Sequence, residues 1–217
     1  VQIGIYEVPK PKKVPKPLIV DDKYKYLELL WLEWIEQIDK IIKPDSEYHN
    51  LTQGITKKDI KKHSRIKDNI NIPDELINFY KIHNVEYNGV ASAFGFLVNG
   101  LRYDLIPFED IAYHWQNIKD LTESLDSDEA NLDGYNCRLK VDGYASLRWI
   151  PFADGHNGDY LLYDTDPFDS GIYGQIIELQ NESWERNIAA DSLSELLRKE
   201  IESILSGDIE ALKRLLG

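Results

Sequence analysis

Apolar positions along the chain fall into blocks whose spacing changes from helical to alternating and back. Leu27, Leu30, Trp31, Trp34, Ile35, Ile38, Ile41 and Ile42 recur at three- and four-residue intervals and form one broad stripe. Asp21 or Asp22 suits the start of that helix and Pro44 stops it. Two tryptophans on the stripe point to core packing. After a Lys-rich passage with Gly54, a short helix is predicted over 56–64. A second begins at Asn71-Ile-Pro-Asp-Glu75, where Pro73 fits the first turn and Asp74 and Glu75 oppose the positive end of the helix dipole. Its apolar positions Leu76, Phe79, Tyr80 and Ile82 run to His83, whose imidazole would be favourable as a cation at a helix C-terminus.

The period then shortens. Ala93–Val98 and Leu101–Ile106 are β-rich runs joined by Asn99-Gly100, the strongest short-range hairpin signal in the chain. A helix from Glu109 to about Leu125 follows, then an acidic, solvated loop over 126–134. Leu139–Val141, Leu147–Phe152, Asp159–Asp164 and Gln175–Leu179 predict antiparallel strands punctuated by Gly and Asp. Ser192 with Glu195 three residues on has the capping-box pattern, and Leu193, Leu196, Leu197, Ile201, Ile204 and Leu205 form the helix face behind it. Gly207 marks a break before a final short helix with Ile209, Leu212, Leu215 and Leu216. Helices, strands and helices in blocks predict an α+β fold with a mainly antiparallel sheet.

At 217 residues, with 42% hydrophobic and 29% charged residues, the chain can bury a sizeable core, and disorder over most of its length is excluded. No apolar run approaches the roughly 20 residues needed to span a bilayer. The expectation is a soluble, cytoplasmic protein with no membrane partner. Met is absent, which reads as a processed chain or one cut from something longer. The net charge of -13 opposes direct nucleic-acid binding, which needs cations to displace counterions from phosphate. Charge is also uneven. Residues 1–20 form a basic, Pro-rich leader with Lys10, Lys12, Lys13 and Lys16 against Glu7, and 21–50 read as an N-terminal helical extension. Asp120–Asp169 holds twelve acids against Arg138, Lys140 and Arg148.

Candidate chemistry is sparse. One cysteine, Cys137, allows neither an intrachain disulfide nor a Cys-based zinc cage. No two of His49, His63, His83, His114 and His156 have the i,i+4 metalloprotease spacing, and no phosphate-binding or nucleophile-elbow glycine motif occurs. Asp154, His156 and Asp159 could serve as acid, base and ligand, but three such residues in a tight turn read better as turn formers. Asp164–Asp169 lacks the EF-hand glycine and terminal glutamate. No catalytic residue, cofactor or metal ligand is therefore assigned. The remaining signal is an acidic surface, Glu123, Asp126, Asp128, Glu129, Asp133, Asp154, Asp159, Asp164, Asp166 and Asp169, suited to a basic partner.

Two segments resemble the SUKH superfamily, which includes bacterial immunity proteins and the fungal cell-wall-assembly regulators. Ile72-Pro-Asp-Glu-Leu-Ile-Asn-Phe-Tyr-Lys-Ile-His-Asn84 is similar to its proline-led helix, although Gly89 arrives later than the family's usual glycine. Trp149-Ile-Pro-Phe-Ala-Asp154, then Gly158-Asp159-Tyr160, Tyr163-Asp164 and Gly174-Gln-Ile-Ile177, are similar to its Trp-Ile-Pro-Phe strand and glycine turn. The resemblance covers about Thr56 to Leu205, so 51–217 is expected to be a SUKH-like domain. It implies a curved antiparallel sheet flanked by helices, with Pro73, Trp149, Pro151, Phe152 and Gly158 serving the fold and Asp159 capping local amides. It also implies no enzyme activity. The expected function is an immunity protein that occludes a cognate, basic toxin domain of nuclease type. A regulatory scaffold and a metal-dependent enzyme using Asp154, His156, Asp159 and Asp164 are the alternatives. Oligomeric state is left open, though this net charge opposes close self-association.

Overall fold

A computed structural model describes residues 18–67, 70–124, 137–141, 143–183 and 185–207. The leader up to residue 17, the acidic loop 125–136 and the final helix expected after Gly207 lie outside them. Helix α1 spans Tyr26–Asp39 behind a single 3-10 turn at Asp22–Tyr24. Asp21 does not cap that helix. Its carboxylate accepts from Lys81 Nζ at 2.9 Å and Asn78 Nδ2 at 3.1 Å, tying the chain to the third helix instead.

Strand β1 (Leu51–Gln53) precedes α2 (Lys57–His63), whose Thr56 and Asp59 form a complete capping box. A small ribbon of β2 (Arg65–Lys67) and β3 (Ile70–Asn71) leads into α3 (Asp74–Ile82). The chain then straightens at once into β4 (His83–Val85), which pairs antiparallel with β1. His83 is the C-cap of α3 but stands there in extended backbone. Its ring packs on Trp31, with centroids 5.4 Å apart, and burial pushes its pKa down.

β5 (Gly95–Val98) and β6 (Leu101–Leu105) form the expected hairpin. Asn99 and Gly100 both have positive φ, 50° and 81°, as a type I′ turn requires. Helix α4 (Ile111–Ser124) then crosses to β7 (Trp149–Asp154), β8 (Tyr160–Asp164), β9 (Ile176–Leu179) and β10 (Arg186–Ala190), and α5 (Leu193–Ser206) follows. The main sheet has the order β10-β9-β8-β7-β6-β5, each pair antiparallel, so it is a meander in chain sequence. The fold is α+β, with the sheet curved towards a barrel and helices packed on it.

Leu139–Val141 does not become a strand. Leu139 is buried, but the backbone there is irregular, and the Arg138 carbonyl accepts from the Phe168 amide and from Gln175 Nε2. Ser192 accepts from the Glu195 amide, while Glu195 reaches one residue further back to Asp191 N, so the box is offset.

The core is aromatic and continuous. Trp31 stacks against Phe79 with centroids 4.7 Å apart, and its indole N–H donates to the Phe79 carbonyl at 3.1 Å. Trp34 stacks on Phe96, which meets Phe152 edge-on. Trp149 and Phe152 are fully buried, as expected. Helix α1 thus belongs to the same core as the sheet, since Trp31, Trp34 and Ile38 close one face of it. Each buried indole removes on the order of 200 Å² from water, so the helix is held by several kcal/mol of apolar burial. Among the described residues no helix is long and apolar enough to cross a membrane.

Candidate functional site

A cleft of about 370 Å³ opens where the loop after β4, the end of β6, the start of α4 and the β7–β8 turn converge. Its floor is Asp104, the one acid in the otherwise apolar second half of β6. Asp104 is buried. Its Oδ2 accepts from the Ser92 amide at 3.0 Å and sits 2.9 Å from His156 Nε2, while Oδ1 lies 3.5 Å from Arg102 Nε with no hydrogen bond of its own. Arg102 continues the line, donating to Glu200 Oε1 at 3.2 Å and to the Ser92 and Ala93 carbonyls. Glu200, buried on α5, also accepts from the Leu97 amide at 2.8 Å. A line of polar contacts therefore runs Glu200–Arg102–Asp104–His156, from the buried Glu200 on α5 through β6 to His156, which is exposed on the β7–β8 turn.

That turn is built to present His156. Asp154 accepts from the His156 amide at 2.8 Å, and the Gly155 amide donates to the Asp159 carbonyl. His156 itself takes a positive φ of 68°. Gly158 has φ +83°, and a Cβ there would come within 3.0 Å of Asn181 Nδ2, so only glycine fits without a shift. Asp159 accepts from the Asn181 amide at 2.7 Å, a tie to a segment 22 residues away rather than to an amide of its own turn. The hydrogen bond to Asp104 pulls the His156 pKa above its ordinary value.

The walls differ from the floor. His114 Nδ1 lies 3.2 Å from the Tyr160 hydroxyl, and burial pushes the His114 pKa down. The same burial pushes Tyr160 up to about 12. Glu86, Asp110 and Asp154 add carboxylates, and Tyr87 and Tyr113, 72% and 66% exposed, line the cleft with aromatic surface. Chemically this is a seat for positive charge. Its one hydroxyl nucleophile is engaged, because Ser92 Oγ donates to Asn50 Oδ1 at 2.6 Å and accepts from the Phe94 amide. No group of three or more metal-ligating side chains among the described residues is arranged to hold an ion.

The acids singled out in the sequence do not gather in one place. Asp154 lines the cleft and Asp159 is half-buried behind it. Asp164 pairs in register with Trp149 at the other end of the β7–β8 hairpin, about 16 Å from Asp159 by strand rise. Asp164 is fully buried. Its carboxylate accepts from Gln175 Nε2 at 2.8 Å and the Asp166 amide at 3.0 Å, and burial raises its pKa. It is a structural group that holds the following loop and presents nothing to a partner. Asp166 pairs with Lys140 at 2.6 Å, Asp169 is exposed in the same loop, and Glu123 pairs with Lys119 on the outer face of α4. Asp126, Asp128, Glu129 and Asp133 lie outside the described residues.

Sequence patterning passed over Asp104, Asp110, Glu86, His114 and the two tyrosines. The only local signal was an acid at position 104 inside an apolar hairpin strand, which marks either a bulge or a paired charge.

Residues 54–199 match the model of the family described as SMI1 / KNR4 family (SUKH-1), more than half of the chain. No curated protein matches it at a significant level. The match contains the whole cleft except Asn50, and it begins after α1.

Proposed function

The chain belongs to the SMI1/KNR4 family (SUKH-1), and on that premise we propose that it is an immunity protein. It binds a cognate toxin domain of basic surface, in the cytoplasm of the cell it protects, and neutralises it by occlusion. Proteins of this family are generally non-catalytic immunity or regulatory proteins. The reading is of a binding module that turns over no substrate.

The observation that carries it is the rim of the cleft. Two tyrosines stand largely exposed beside Glu86, Asp110 and Asp154. Exposed Tyr is the side chain most often found as an interface anchor, because it offers large contact area with few rotors to freeze. The surrounding net charge of -13 raises the encounter rate with a basic partner and disfavours acidic ones. A standard interface of roughly 800 Å² per partner would cover the cleft and its borders.

The test is stoichiometric inhibition. The nuclease activity of the proposed cognate toxin domain should fall linearly to zero at one molar equivalent. Full activity in the presence of excess protein removes the immunity reading.

A further inference from the structure

We propose that the cleft is the seat of one arginine side chain inserted by the partner. The inference rests on the reading of the chain as a partner-binding module, and it names the group the partner must supply.

The charge arrangement comes first. Asp104 lines the cleft with its charge already paired from the protein side, Oδ2 by His156 and the Ser92 amide and the buried Oδ1 by Arg102 Nε at 3.5 Å. Above it, Glu86, Asp110 and Asp154 come from three separate elements, and among the described residues none forms an ion pair with a lysine or arginine. His156 is the one cation-forming neighbour of Asp154, at 3.8 Å. Burial holds His114 towards its neutral form. The open part of the cleft is therefore net negative, and an anionic ligand would meet carboxylates on three sides.

Shape and surface then separate guanidinium from ammonium. A volume of about 370 Å³ is at the low end of small-ligand pockets and admits one long side chain rather than a helix. Tyr87 and Tyr113 offer aromatic faces to a planar cation, and guanidinium is the more weakly hydrated group that stacks on rings while donating in a fork to carboxylates. An ammonium can also sit over a ring, as Lys23 does over Tyr24, but it is a strongly hydrated point charge without the planar fork that stacks and reaches two carboxylates at once.

The experiment titrates the full chain with N-acetyl-arginine N-methylamide and follows the His114, His156 and Tyr113 ring resonances by NMR. Saturable shifts confined to those rings are expected. The citrulline analogue, equal in shape and without charge, should bind at least about tenfold more weakly, since each tenfold is only 1.4 kcal/mol. Asp110→Asn with Asp154→Asn should weaken arginine by a similar factor, Tyr113→Ala, at an exposed site, by several-fold, and Glu123→Gln, outside the cleft, not at all. Non-saturating shifts, equal response to citrulline, or equal loss from Glu123→Gln would overturn the proposal. The two readings separate against the toxin. Unchanged toxin binding by the Asp110→Asn/Asp154→Asn variant overturns the arginine seat while immunity stands. A toxin that binds neither protein overturns immunity, and the arginine titration still decides the cleft.

Discussion

His156 Nε2 lies 2.9 Å from Asp104 Oδ2, a hydrogen bond that fastens the β7–β8 turn onto the sheet and favours the protonated imidazole. It ends a line of polar contacts whose other members come from α5 and β6. Each carboxylate in that line has either a cation or backbone amides to replace water, which is the condition for burying charge at tolerable cost.

The two histidines of the cleft should titrate on opposite sides of 6.5. His156 gains a partner on folding, so its contribution to stability is fully present below about 6.5 and is lost as pH rises through its raised folded value. His114 loses water on folding, so it costs stability as pH falls through 6.5 towards its lowered folded value. NMR titration of the ring protons should give a midpoint above 6.5 for His156 and below it for His114. The reverse order contradicts the geometry.

Arg102 stands between Glu200 and Asp104 and is the only guanidinium paired with either among the described residues. Arg102→Ala strands two buried carboxylates and should cost about 3–5 kcal/mol in urea unfolding. Arg102→Met combined with Glu200→Leu should recover much of that loss, because burial pushes the Glu200 pKa up and the Leu97 amide alone would then have to hold the anion that Arg102 now pairs. A double variant as unstable as the single one would show that packing, not charge, explains the effect.

Helix α1 precedes the matched family segment yet supplies Trp31, Trp34 and Ile38 to the core. A chain beginning at residue 51 should therefore lose cooperative unfolding. Trp34→Ala in the full chain should cost about 3–5 kcal/mol, and Trp31→Phe about 1 kcal/mol for the Phe79 carbonyl left without its donor. A cooperative transition from the shortened chain would contradict the single core.

Gly158→Ala tests the turn that presents His156. A side chain at φ +83° that also meets Asn181 should destabilise by about 1–2 kcal/mol. It should also shift the His156 ring resonances, whereas a purely remote loss of stability would leave them in place.

Local chemistry was what the sequence made legible. Asn99-Gly100 announced its turn, Pro73 its helix start, Ser192 its cap, and the Trp149–Phe152 run its buried strand, because each of these is decided within a few residues. Long-range burial was not legible. Asp164 has the composition of a loop acid, yet Gln175, eleven residues away, lets it sit fully inside. His83 looked like a helix-end cation until the position of Trp31 placed a ring against it. Strands β1 to β4 are two or three residues long, too short to show a period. β10 contains Asn187, Ile188 and two alanines, and exists because β9 offers it an edge. The cleft was invisible for the same reason, since residues 86, 104, 110, 114 and 156 become neighbours only through the meander.

Isothermal titration calorimetry of the full chain with the basic toxin domain proposed as its partner, at about 50 mM and about 500 mM salt, tests the central claim most directly. Predicted is a one-to-one complex at both concentrations, with markedly weaker affinity in the higher salt. No binding heat at either concentration would contradict it, as would an affinity that salt leaves unchanged.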